Sequence, residues 1–235
     1  MKINIKIRSE YIIRCRKMSY VEYITKQIEE YKIGIPIYTK TIADGLADYY
    51  HMTKEKASAA TSVAIKRIIE REEIPELRFY QKGVYYLTKE TPFGETGIMK
   101  ENLINDKYLF NNNGYYTGYY LLYHIGLTTQ IPNKRMIATN AVKDCIRYDK
   151  NLDVYLVPPK TRINSGNIGY LQILDVLDLF DKAPIDTHDP YKLIGIQILK
   201  KGLRYETLLS YADNYYNKNT VIQVAHTASF MEGNQ

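Results

Sequence analysis

At 235 residues and net charge +6, with 45% hydrophobic and 25% charged residues, the sequence has the balance of a globular chain and excludes a disordered or fibrous one. That length makes one large domain or two small ones and allows a core without disulfide or metal staples. No stretch nears the roughly 20 apolar residues that cross a bilayer, the basic start MKINIKIRSEYIIRCRK lacks the apolar block and cleavage site of a signal peptide, and Cys15 and Cys145 form no disulfide framework, so a cytoplasmic location is expected.

Residues 1–18 read as a basic extension: positions 1–17 hold six Lys/Arg and one acid. Ser19 and Glu22 then form a capping box, and Val21, Ile24, Ile28 and Tyr31 recur at helical spacing, predicting a helix over 19–32 that stops at Gly34. Pro36 breaks the chain, and Ile35–Tyr38 suits one small strand. Thr39 or Thr41 is placed to cap a second helix over 41–51, and Thr53 a third over 54–72. A short helix, a tight turn and a longer helix make a helix-turn-helix pattern. The run LRFYQKGVYYLTK, 77–89, reads as a hairpin turning at Gln81-Lys82-Gly83. The order helix, strand, helix, helix, hairpin predicts a winged helix-turn-helix domain over 19–90.

Thr91-Pro92-Phe93-Gly94 marks a linker. A second domain is expected over 97–235. Its helices at 98–110 and 115–126 are separated by three asparagines and Gly114. Short strands follow at 134–140, 143–149 and 152–158, ended by Pro158-Pro159. Helices over 167–181, capped by Ser165 or Asn167, and over 188–202, 203–217 and 219–230 complete the chain. The expected fold class is α+β: a winged helix, then an α+β domain with a small antiparallel sheet and C-terminal helices.

Charge is uneven. Residues 1–90 carry 17 Lys/Arg and 12 Asp/Glu, whereas 91–235 carry 15 and 14. Once 1–17 are set aside, 18–90 hold 11 of each, so a basic patch there must come from clustering. On a wheel of 54–70, Ala57, Ala60, Thr61, Ala64, Ile65 and Ile68 share one arc, the expected core side. The opposite arc holds Lys56, Ala59, Ser62, Val63, Lys66 and Arg67, with Lys54 at the start. Small side chains let a backbone approach a major groove, methyl groups touch thymine, and cations reach phosphates or guanine edges. Residues 54–67 carry four bases and one acid, and 70–76 four acids and one base, so the N-terminal end would point at DNA. Arg78, Lys82 and Lys89 would add wing contacts to phosphate. The bland reading is an amphipathic helix with a solvated lysine face.

The stretch GYYTGYYLLYHIGLTTQIPNKRMIATN, 114–140, resembles the AbiEi-type antitoxins of type IV toxin–antitoxin systems. Gly118, Gly126, Leu127, Thr128, Thr129, Gln130, Pro132, Asn133, Thr139 and Asn140 carry the likeness, supported upstream by 78–95 and downstream by NIGYLQILDVLD, 167–178. The resemblance implies a two-domain repressor–antitoxin. Its first domain would bind promoter inverted repeats in duplex DNA, with two protomers assembling on the repeat. Its second would oppose a nucleotidyltransferase-like toxin, without necessarily forming a stable complex. Residues 1–17 and those after about 185 fall outside the likeness. Physically, Gly126 suits a helix C-cap and Pro132 an extended entry into the next strand. The loop 126–133 is then either a corner held by side-chain hydrogen bonds or a contact site for toxin or DNA.

No metal-ligand spacing, phosphate-cradling glycine motif, hydrolase elbow or kinase signature occurs, so neither cofactor nor catalytic residue is expected. Asp175, Asp178 and Asp181 share a helical face and read as a solvated edge. Asp186, His188 and Asp189 beside Pro190 read as a helix N-cap. An enzyme that modifies a toxin would need one of these clusters to close on a basic residue in a deep pocket. A transcription factor with a ligand-sensing second domain and no toxin is the other alternative. The 24 tyrosines, beside five Phe and no Trp, either replace those residues in the core or line contact surfaces.

Overall fold

The computed structural model describes residues 18–230, so the expected basic extension lies outside the described residues except for Met18. The chain is mixed α+β and divides into two compact units between Asn102 and Leu103. This boundary falls later than the expected linker because 88–99 remain tied to the first unit. Thr88 Oγ1 donates to the Thr96 carbonyl at 2.7 Å, Lys89 N to Thr96 Oγ1 at 2.9 Å, and Met99 N to the Gly34 carbonyl at 2.8 Å. Thr91-Pro92-Phe93-Gly94 is a tight turn between β4 (Glu90–Thr91) and β5 (Gly94–Glu95), not a linker.

In the first unit, α1 (Tyr20–Glu29) opens on the expected capping box: Glu22 N donates to Ser19 Oγ at 3.2 Å and Ser19 N to Glu22 Oε2 at 2.8 Å. Strand β1 (Ile37–Tyr38) leads into α2 (Thr39–Tyr50), which starts two residues earlier than expected. Neither threonine caps it; Thr39 Oγ1 donates instead to the Gly83 carbonyl at 3.4 Å. Helix α3 (Lys54–Glu70) is capped as expected, Thr53 Oγ1 accepting from Lys56 N at 3.4 Å. Strands β2 (Leu77–Gln81) and β3 (Val84–Leu87) form the hairpin, and β1 adds to β3, giving a three-stranded antiparallel sheet in the order β1-β3-β2. Ile24, Ile28, Ile37, Leu46, Ile65 and Ile68 fill the space between helices and sheet.

The helix expected over 98–110 begins in the first unit, ends in the second and is wound three ways. Helix α4 (Lys100–Ile104) passes into a π-turn, Asn105–Leu109, and a 3-10 turn, Phe110–Asn112. Asn111 and Asn112, both left-handed, end it. The helix expected over 115–126 is corrected: Gly114–Thr117 is strand β6, and only Gly118–His124 is helix, α5. Gly118 is the reason. Its φ is +68°, so a helix can start from it but not continue through it from 115, and a Cβ there would lie 2.7 Å from Met136 Sδ, which restricts the position to glycine.

Strands β7 (Arg135–Thr139), β8 (Arg147–Asp149) and β9 (Val154–Val157) complete a sheet in the order β6-β7-β9-β8. Its central pair is parallel, Arg135 facing Val154 and Ala138 facing Val157, so the sheet is mixed where an antiparallel one was expected. Alternation in sequence marks strands but not their neighbours, and β9 inserts between β7 and β8. Helices α6 (Ile168–Asp178), α7 (Pro190–Lys200), α8 (Tyr205–Tyr215) and α9 (Lys218–Thr227) follow as expected within a few residues. Asn167 precedes α6 but does not cap it. Its Oδ1 accepts from Asn164 N at 2.8 Å and its Nδ2 donates to the Arg162 carbonyl at 2.9 Å. Leu122, Leu127, Leu174, Leu177, Ile194, Leu208 and Val224 form the helical core. No helix among the described residues is long and apolar enough to cross a membrane.

Candidate functional site

The wheel phase of α3 matches its burial. Ala57, Thr61, Ala64, Ile65 and Ile68 are buried. Ala60, expected with them, is only half-buried. Lys54, Lys56, Ala59, Ser62, Val63, Lys66 and Arg67 are all exposed, Val63 by 50%. Ser62 Oγ donates back to the Ser58 carbonyl at 3.0 Å. Lys54 Nζ lies 3.9 Å from Asp44 and Lys66 Nζ 3.6 Å from Glu70. With both lysines mostly in solvent, such pairs hold weakly. Lys56, Arg67 and the hairpin-tip Lys82 have no ion-pair partner among the described residues. The exposed face thus offers cations that need not break a strong contact to meet an anion.

Arg78 leaves this set. Its guanidinium grips Glu95 through Nε at 3.1 Å and Nη2 at 2.5 Å and also donates to the Pro75 and Leu77 carbonyls. Glu95 holds the guanidinium's pKa above its ordinary value, and Arg78 draws the Glu95 carboxyl below its own. This fork ties the second hairpin to β2, a structural task that competes with phosphate. Its partner stands 17 residues away, beyond what local charge could indicate.

The loop 126–133 divides into an anchored half and a presented half. Gly126, at φ +81°, ends α5 as expected. Leu127 is fully buried, and Thr128 is buried with its Oγ1 accepting from Gln130 N at 3.2 Å. Thr129 donates from N at 2.9 Å and Oγ1 at 2.6 Å to the Asp186 carboxylate, while Asp186 N donates to the Leu127 carbonyl at 3.2 Å. These bonds hold the Asp186 carboxyl below the usual range. Asp186 therefore clasps the loop and caps no helix. Asp189 takes the N-cap position of α7 without a side-chain bond, ahead of Pro190. Beyond the clasp, Gln130, Ile131, Pro132 and Asn133 line a cavity of about 450 Å³ with Tyr119, Met136 and Tyr155. Ile131 is 77% exposed.

The aspartate row is corrected more sharply: only Asp175 and Asp178 lie on α6, and Asp181 falls in the turn beyond its end. Asp175 is partly buried and accepts from Thr117 Oγ1 at 2.6 Å, Tyr216 Oη at 2.7 Å and Tyr115 Oη at 3.0 Å. Burial pushes its carboxyl above the ordinary value, outweighing those three hydroxyls. Burial and the same carboxylate push the Tyr115 and Tyr216 phenols up. Asp178 accepts from Asn217 Nδ2 at 2.6 Å and Thr220 Oγ1 at 3.0 Å and lies 3.7 Å from Lys160 Nζ. Asp181 accepts from Asn219 Nδ2 and Gln223 Nε2. The row is a polar seam that fastens β6, the end of α8 and the start of α9 to α6.

Several tyrosines act likewise: Tyr108 donates to Asp149 at 2.7 Å and Tyr191 to Gln223 at 2.5 Å. Tyr108 is buried and Tyr191 half-buried, and each ring packs while its hydroxyl serves a polar acceptor. Among the described residues no three His, Cys, Asp or Glu side chains converge as a metal site. Comparison with protein-family models, curated proteins and solved structures gives no match.

Proposed function

We propose that the chain is a duplex-DNA-binding regulator whose first unit is a winged helix-turn-helix, with α2 and α3 as the helix pair and β2–β3 as the wing. The observation that carries this reading is the exposed face of α3. There Lys56, Val63 and Arg67 fall in one line, flanked by Ala59, Ser62 and Lys66, with Lys82 at the hairpin tip. Cations would neutralise phosphates, and the small side chains would admit the helix to a major groove. Binding of full-length protein to duplex from its own upstream region, followed by fluorescence anisotropy across salt, tests this. Affinity should fall steeply with salt. Lys56→Glu/Arg67→Glu should reduce the slope of log affinity against log salt by about 2. Salt-independent or unchanged binding would overturn it.

The narrower role, autorepressor and antitoxin of a type IV operon, rests on the resemblance of 114–140. On this reading the two units divide the work, the second opposing a nucleotidyltransferase-like toxin. Rescue of cells expressing such a toxin from an unrelated promoter by the Lys56→Glu/Arg67→Glu protein would support direct antitoxicity. Failure of both this protein and the unaltered chain would remove the antitoxin role. The cavity beside Gln130–Asn133 favours a second reading, a regulator whose second unit senses a small molecule. That reading predicts release of DNA by a metabolite in the absence of any toxin.

A further inference from the structure

The cavity beside the loop 126–133 is aromatic, uncharged and firmly framed. Its floor is a row of the sheet: Met136 of β7 faces Tyr155 of β9 in the parallel pair, so both side chains stand on one side of it. Tyr119 of α5 forms a wall, its hydroxyl donating to the Lys182 carbonyl at 3.3 Å. The rim is the loop itself, held by the bonds of Thr129 to Asp186 and of Gln130 N to Thr128 Oγ1. The volume of about 450 Å³ is that of a small-molecule site.

The polar groups decide what such a cavity takes. Lys134, the cation among its lining residues, is spent: Nζ donates to Asp153 Oδ1 and to Tyr148 Oη, each at 2.6 Å. No carboxylate is among those lining residues. The side-chain amides of Gln130 and Asn133 and the Tyr155 hydroxyl have no hydrogen-bond partner among the described residues. A charged ligand would find no counter-ion here. A planar amide holds a donor and an acceptor side by side and pairs with the N–H and ring nitrogen of a heterocyclic base. A purine presents two such edges, Watson–Crick and Hoogsteen, one for each amide. Two tyrosine rings and a thioether supply the packing surface for its π-face. We infer that the cavity binds a purine nucleoside, its base against Tyr119, Met136 and Tyr155 and its edges read by Gln130 and Asn133. The inference rests on the small-molecule reading of the second unit and names its ligand.

Adenosine and guanosine are titrated into full-length protein by calorimetry, with no DNA present. Gln130→Ala/Asn133→Ala removes side chains that hold nothing in the fold and should weaken binding by about tenfold, Tyr155→Phe by about twofold. Cytidine, with one edge fewer, should bind about tenfold more weakly than the better purine. Because no free cation awaits a phosphate, adenosine monophosphate should bind no tighter than adenosine. In protein with isotope-labelled methionine methyls, the Met136 methyl, assigned with Met136→Leu, should move upfield under the ring current of the base. No heat with either purine, an unmoved Met136 methyl, unchanged affinity in the amide variant, or tighter binding of the monophosphate would overturn the assignment. DNA release is measured separately. Release by a metabolite when neither purine binds would keep the sensing reading and remove this ligand. A bound purine that leaves DNA affinity unchanged would keep the site and remove the sensing.

Discussion

Two rows of charge at helical spacing, one on α3 and one on α6, meet opposite fates. The cations of α3 stand in solvent, and the closest acids to Lys54 and Lys66 lie 3.9 and 3.6 Å away with the lysines largely exposed. Asp175 and Asp178 of α6, and Asp181 in the turn after it, are each occupied by donors from β6, from the α8–α9 connection or from α9. A charged stripe is therefore a surface only when no second layer of structure covers it, and that layer is supplied by distant chain. The α3 row remains available to a partner; the α6 row has been used in assembling the unit.

The sharpest way to break this contrast is to empty Asp175. Asp175→Ala leaves three hydroxyls without their acceptor and should cost the second unit about 3–5 kcal/mol, read from denaturant unfolding. The opposite row should behave in reverse. Lys56→Glu/Arg67→Glu should leave stability within about 0.5 kcal/mol while weakening DNA binding by about tenfold or more. If the α3 pair unfolds the protein, or Asp175→Ala is silent, the two rows are not what they are taken to be here.

A subtler separation uses pH. The Asp175 carboxyl titrates above its ordinary value, so between that value and the folded one the native state holds the extra proton. The resulting stability is complete below the ordinary carboxylate range and is lost as pH rises through the folded value. Asp175→Asn keeps acceptor and shape, should cost only about 1 kcal/mol, and should flatten this part of the stability profile. Asp186 has the opposite sign: its contribution is present above the ordinary range and is lost as pH falls through its depressed value. The smallest effect is expected at Arg78. Arg78→Ala should loosen the second hairpin, seen as faster amide exchange at 88–96, and leave DNA affinity unchanged.

What was legible in the sequence had its partner close by. The capping box of α1 spans three residues, and the phase of α3 follows from 57, 61, 64, 65 and 68 on one helix. The hairpin at 77–87 was visible because its turn is local. The errors share a different cause. Tyr115–Thr117 looked helical until β7, twenty residues on, paired with it. Arg78 looked free until Glu95 folded back. Asp175 looked solvated although its donors stand 58, 60 and 41 residues away. Of the loop 126–133, the glycine at the helix end was legible, but the division made by Asp186 was not.

The parallel pairing of β7 with β9 bears on how the molecule is made. A parallel pair cannot close through a tight turn, and here the chain must leave Thr139, build the β8–β9 hairpin and bring Val154 back beside Arg135. Non-local pairing of this kind slows folding relative to a bundle of neighbouring helices. During synthesis the second unit therefore passes through an interval in which the edge of β7 and the side chains of Ile137 and Leu156 await their partners. The length of that interval sets the exposure of a new chain to mispairing with its neighbours.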